Sequence, residues 1–193
     1  MTRHIVLASA SPRRRELLEN IGLKFTVDTA ETAEVRADSL KPAQLAEALS
    51  LRKAKAAASR HKGSIIIAAD TLGVLDGEIL GKPADAGRAR SMLAALSGRC
   101  HSVITGFTVM DTVTGRAVSR AVETKVYFRK IGRVEIAGYV ETGEPLDKAG
   151  AYAIQGLGAL LVERIEGDYY NVIGLPLRAL AKVLRSFGVT LPA

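Results

Sequence analysis

Residues 4–20 read His4-Ile5-Val6-Leu7-Ala8-Ser9-Ala10-Ser11-Pro12-Arg13-Arg14-Arg15-Glu16-Leu17-Leu18-Glu19-Asn20. The first five are short and mostly apolar, the mark of a buried strand. Ser11 and Pro12 then mark a helix start: serine is a favoured cap, and proline at the first helical position loses no hydrogen bond. Leu17, Leu18 and Ile21 give the helix an apolar stripe, and Gly22 ends it. A buried strand that feeds a helix through small residues is the repeating unit of an α/β fold.

Outward from this unit the pattern continues. Leu23, Phe25 and Val27 alternate as on one face of a strand over 23–27. Residues 31–40 are polar and read as a loop. Lys41-Pro42 opens a helix predicted to run to about His61, with Leu45, Leu49 and Ala56 on its inner face. Residues 64–69 form a second buried strand ending at Asp70-Thr71. Asp76-Gly77 between apolar residues predicts a hairpin, closed by Gly81-Lys82-Pro83. A helix follows over 85–96. The β-branched runs 102–111 and 118–128, joined through Thr114-Gly115, predict a long antiparallel pair. A short helix over 134–140, a broken Gly-rich stretch over 147–158, a strand over 159–165, a loop over 166–175 and a helix over 176–187 complete the chain. Strands alternating with helices, together with hairpins, predict an α/β chain with a mixed sheet. No repeat or linker divides it, so residues 1–193 read as one domain.

The composition excludes several classes. No apolar run reaches the roughly 18 residues that a bilayer span needs, and the N-terminal apolar stretch is too short for a secretory signal. The single Cys100 forms neither an intrachain disulfide nor a Cys-rich zinc site, which fits a cytoplasmic protein. The net charge is +7, from 27 Lys and Arg against 20 Asp and Glu. That excess attracts anions such as nucleotides, nucleic acid or acidic lipid, although a solvated surface gives the same count. There is no G-x-x-x-x-G-K-[ST] loop, no G-x-S-x-G and no H-E-x-x-H. His4, His61 and His101 have no ligand spacing and read as structural.

Four clusters can carry chemistry. At Ser9-Ala10-Ser11-Pro12-Arg13-Arg14, unpaired N–H groups at a helix start, two hydroxyls and two guanidiniums suit a phosphate. Without a ligand, the same segment is a capped surface helix with solvated arginines. Asp70 closes an apolar strand at a sheet edge, where it can hold Mg²⁺ or take a proton from water; a turn cap is the alternative. Pro83 stiffens the loop that carries Lys82, a point charge for phosphate or an exposed turn lysine. Lys53, among helix alanines, either reaches inward or faces water. In the segment 147–156, Gly150 and Gly156 imply unusual dihedrals. The Gln155 amide can read an imide edge, and Tyr152 packs on a base or, more simply, in the core.

In this order the clusters resemble the Maf family of nucleotide pyrophosphatases. The matching pieces are L-A-S-A-S-P-R-R (7–14), A-A-D-T (68–71), G-E-I-L-G-K-P (77–83), S-G-x-x-H-x-V-x-T-G (97–106), D-K-A-G-A-Y-x-I-Q-G (147–156) and N-V-I-G-L-P-L (171–177). The resemblance implies an elongated mixed sheet with flanking helices, in two lobes around a cleft, similar to the inosine triphosphate pyrophosphatases. It implies hydrolysis of a nucleoside triphosphate between the α and β phosphates with Mg²⁺ or Mn²⁺. Asp70 falls on the catalytic base and, with Glu34, on the metal position; Glu31 is the alternative to Glu34. Ser9, Arg13, Arg14, Lys53 and Lys82 fall on phosphate-binding positions. Arg13, Thr71 and Gln155 resemble the branch that acts on dTTP and UTP rather than on 7-methyl-GTP.

Two other readings compete. A basic module that binds RNA or DNA without catalysis fits the charge and Arg13-Arg14-Arg15, but not the shortage of aromatics and the absence of Trp. A non-catalytic regulator of cell division fits the family's historical name. The sequence does not fix the oligomeric state; a homodimer is among the states it admits.

Overall fold

The structure, a computed structural model, describes residues 3–29 and 40–191. Its strands are β1 (His4–Ala8), β2 (Thr26–Val27), β3 (Ser64–Leu75), β4 (Glu78–Leu80), β5 (Cys100–Asp111), β6 (Ala117–Phe128) and β7 (Val162–Glu166). Its helices are α1 (Pro12–Asn20), α2 (Pro42–Ala58), α3 (Ala86–Leu96), α4 (Arg133–Glu141), α5 (Tyr169–Ile173) and α6 (Leu177–Ser186). The strands form one seven-stranded sheet in the order β2-β1-β3-β5-β6-β7, with β4 paired to β3. β1 runs parallel to β2 and β3, with His4–Ala8 in register with residues 64–68. β4 and β7 run antiparallel to β3 and β6. This is the mixed α/β architecture that the sequence predicts.

The chain divides into two compact units. The first takes the chain up to Asp70, Thr105–Val122 and the chain from Gly174 onward; the second takes Thr71–Ile104 and Glu123–Ile173.

In the first unit, β1 and β3 bury Val6, Ala8, Ile66 and Ala68 against Ala54 and Ala57 of α2. The buried face of α2 is Ala46, Ser50, Ala54 and Ala57. The predicted face, Leu45, Leu49 and Ala56, is only half-buried. The reason lies at Gly106, where a Cβ would stand 2.1 Å from the Ala46 carbonyl carbon. Helix backbone meets strand backbone there, and only a face of small residues allows that approach. Ser50 Oγ lies 2.8 Å from Thr108 Oγ1, which lies 2.8 Å from Ser119 Oγ, so the buried hydroxyls satisfy one another.

The second unit is built on α3 and α4, whose Leu93, Leu96, Ile136 and Val140 join Val126, Phe128 and Leu161 in one cluster. Within it, His101, Phe128 and Tyr152 meet edge to face, with centroids 4.7–5.3 Å apart. His101 Nε2 lies 2.8 Å from the Tyr152 hydroxyl. Tyr152 is thus a core residue, and burial lowers the His101 pKa from 6.5 to about 4.

Local elements depart from the sequence reading for identifiable reasons. β2 is shorter than the predicted 23–27, because the Leu23 N–H bonds back to Leu18 O and closes the end of α1, with Gly22 left-handed. α2 ends at Ala58, where the chain turns through an Arg60 N–H to Ala57 O bond. β3 does not end at Asp70 but runs on to Leu75. Its last part pairs with β4 through the expected two-residue loop, Asp76 (φ 52°) and Gly77 (φ 85°). β7 starts at Val162 rather than 159, because Gly156–Leu161 forms a 3₁₀ turn. The segment 166–175 contains α5 rather than loop alone.

Two outcomes are expected. Gly106→Ala should destabilise the protein by about 1–3 kcal/mol or more, read as a lower urea midpoint, because backbone has to retreat. The neutral state of His101 contributes stability that is fully present above the unfolded value of 6.5 and is lost as pH falls toward its folded value of about 4. The urea midpoint should therefore drop between pH 6.5 and 4.5, by up to roughly 3 kcal/mol in stability, and His101→Gln should flatten that slope.

Candidate functional site

The loop between β1 and α1 is organised by Ser9 and Arg14. Ser9 is buried, and its Oγ accepts from the Ser11 N–H at 3.2 Å and from Arg14 Nη1 at 3.2 Å. The Ser11 side chain, expected to cap the helix, makes no capping bond; its backbone N–H is turned toward Ser9 instead. Arg14 Nη1 also donates to Ala69 O, and its Nε donates to Gly174 O, both at 2.8 Å. One guanidinium thus ties α1 to β3 and to the segment before α6. Desolvation lowers the Arg14 pKa from 12.5 to about 10; the Asp70 carboxylate pulls it back up and Arg13 adds to the lowering. The side chain stays cationic at neutral pH.

Asp70 follows Ala69 on β3, just past the last residue paired with β1. Its carboxylate accepts from Lys53 Nζ of α2, and both side chains are about a fifth to a quarter exposed (19% and 26%). The close seating of α2 on Gly106 brings the lysine there. Arg13 is half-exposed and makes no side-chain hydrogen bond or ion pair with the described residues. The first unit therefore brings together Ser9, Arg14, Lys53 and Asp70. The first-turn N–H groups of α1, which have no partner inside the helix, open from the same segment.

The other expected site residues lie in the second unit. Thr71 follows Asp70 on β3 and is half-buried. Lys82 is exposed after β4 and makes no ion pair among the described residues. Its turn is fixed to the Gly-rich segment, since the Gly150 N–H donates to Gly81 O at 3.1 Å. Gly150 (φ 77°), Ala151 (φ 61°) and Gly156 (φ 72°) are left-handed, as the glycines imply. Gln155 is half-buried, with a side-chain amide unpaired among the described residues. Glu34 and Glu31 lie outside the described residues.

Some parts of the site had no signature in the sequence. The carbonyls of Ala69 and Gly174 are backbone acceptors. In the second unit, Glu144 carries no motif; its carboxylate accepts from Tyr139 Oη, Leu157 N and Gly158 N at 2.8, 3.2 and 3.0 Å. Partial burial pushes its pKa up, but these bonds outweigh that and leave it below 4.5. The one local signal is an acid between Gly143 and Pro145, just after the helix that carries Tyr139.

Fold and site together define an α/β protein with one carboxylate set among cations, beside the open start of a helix. That arrangement suits a phosphorylated ligand and proton transfer. The chain belongs to the Maf family: the profile described as Maf-like protein matches residues 4–187. A protein of Symbiobacterium thermophilum named dTTP/UTP pyrophosphatase is 50% identical over 186 residues, covering 95% of this chain and 94% of that one. One of Moorella thermoacetica, with the same name, is 51% identical over 185 residues, covering 96% and 95%. A solved Mycobacterium abscessus nucleoside-triphosphatase / dITP/XTP pyrophosphatase overlaps 96% of this chain and 95% of its own. Its identity is 16% and its TM-score 0.43.

Arg14→Lys should lower the urea midpoint by about 1–3 kcal/mol in stability, because an ammonium cannot span the acceptors that the planar guanidinium joins.

Proposed function

We infer that this chain is a nucleoside triphosphate pyrophosphatase that converts dTTP and UTP to the monophosphate and pyrophosphate. The observation that carries it is the Asp70 carboxylate paired with Lys53 beside Arg14, in a chain half identical to proteins bearing that name. Among the described residues no three His, Cys, Asp or Glu side chains cluster. Mg²⁺, however, is commonly held by one or two carboxylates plus substrate phosphates. Asp70 fits that mode, with Glu34 as the proposed second ligand. A divalent cation there, Mg²⁺ or Mn²⁺, supplies charge neutralisation on the phosphates.

The chain's own residues do the rest. The triphosphate displaces Asp70 from Lys53 and takes the ammonium. Arg13 and the α1 start take further phosphate oxygens, while Ser9 and Arg14 hold the loop that presents them. Asp70 accepts a proton from the water whose oxygen bonds to the α-phosphorus. The bond from that phosphorus to the bridging oxygen breaks, and the electron pair leaves with pyrophosphate. The proposed contacts of Lys82 with phosphate, and of Thr71 and Gln155 with the base, rest on the sequence resemblance. The uracil and thymine edge offers an N3–H donor beside carbonyl acceptors, which a glutamine amide complements. No described helix is long and apolar enough to cross a membrane; the cytoplasmic location we propose rests on the single cysteine, which suits a reducing compartment.

A nucleotide panel with Mg²⁺ should yield UMP and dTMP with pyrophosphate, not orthophosphate, and chelation should abolish turnover. Asp70→Asn should cut kcat by about 10²–10⁴-fold. Wild-type turnover in that variant would remove Asp70 from the reaction.

A further inference from the structure

The chain around Gln155 is clamped on both sides by groups outside any strand or helix pairing. Before it, the Ala153 N–H donates to the Tyr139 hydroxyl at 3.3 Å. After it, the Leu157 and Gly158 N–H groups donate to the Glu144 carboxylate at 3.2 and 3.0 Å. Tyr139 Oη in turn donates to Glu144 Oε1 at 2.8 Å, so one phenol and one carboxylate hold both flanks.

Two glycines of the segment lie against this clamp. A Cβ at Gly156 would stand 2.8 Å from Glu144 Oε2, and one at Gly158 would stand 2.3 Å from Ala153 O and 2.6 Å from Tyr139 Oη. Gly156 is also left-handed (φ 72°), and at Gly158 backbone as well as phenol leaves no room for a side chain. Yet the Gln155 amide itself bonds to none of the described residues. Its backbone is pinned on either side while its half-buried amide stays open to a ligand.

We propose that Glu144 and Tyr139 are positioning residues that fix the origin of the Gln155 side chain and thereby set which pyrimidine edge the protein accepts. This rests on the reading of Gln155 given above. An amide carries a donor and an acceptor, and turned over it can match cytosine as well as uracil. Selectivity between the two therefore requires that its starting point be held, since small misplacements of aligned groups have large effects.

The test measures kcat and KM for UTP and CTP in wild type, Gln155→Ala, Glu144→Ala, Glu144→Gln and Tyr139→Phe. The readout is the UTP-to-CTP ratio of kcat/KM. A loss of folded protein lowers both values equally and leaves that ratio alone, so a purely structural role does not move it. Glu144→Ala should lower the ratio at least about ten-fold, as Gln155→Ala does, mainly by raising KM for UTP. Tyr139→Phe should lower it less, and Glu144→Gln, which keeps one carbonyl acceptor, should restore part of it. If Gln155→Ala lowers the ratio while Glu144→Ala and Tyr139→Phe leave it unchanged, the clamp is overturned and Gln155 keeps its role. An unchanged ratio in Gln155→Ala overturns both. A wild type that hydrolyses neither nucleotide instead overturns the pyrophosphatase reading on which the clamp rests.

Discussion

The backbone-to-backbone approach of helix α2 at Gly106 governs the first unit. Most helices rest on a sheet through a layer of side chains that keeps the two backbones well apart. Here the side chain is missing on the strand and small on the helix, so α2 sits deeper. Two consequences follow. The helix face has to be Ala46, Ser50, Ala54 and Ala57, and the single buried hydroxyl on it has to find a partner, which Thr108 supplies. Lys53, next to that face, is brought within reach of Asp70. A leucine-faced helix would stand farther off.

Charge balance is the second constraint. Arg14 is largely withdrawn from water, and a desolvated cation is costly unless opposed. It is opposed by carbonyls at Ala69 and Gly174 and by the field of Asp70. Asp70 in turn has Lys53. The set is mutually compensating: removing one member leaves another exposed to a cost it does not bear now.

Sequence reading recovered what is local. The strand–loop–helix of residues 4–20 and the Asp76-Gly77 hairpin depend on a few adjacent residues, and both formed as read. The face of α2 did not, because apolar periodicity presumes that bulk meets bulk, and Gly106 offers none. The start of β7 did not, because Glu144 takes two N–H groups 13 and 14 residues farther along the chain, and no window around 159 contains that acid. Ser11 was the better cap on paper; Ser9, two residues earlier and beside Arg14, holds its N–H. In the site itself, Ser9, Arg14, Lys53 and Asp70 were legible as residue types at motif spacing. Their network was not, because half of its acceptors are main-chain oxygens.

The bond from Arg14 to the Gly174 carbonyl spans 160 residues of chain. During synthesis Arg14 is made long before its distal acceptor at Gly174. Until then the guanidinium lacks one of its anchors and the loop before α1 lacks its final shape. A chain cut before Gly174 would carry every side chain of the first-unit cluster without the carbonyl that anchors Arg14.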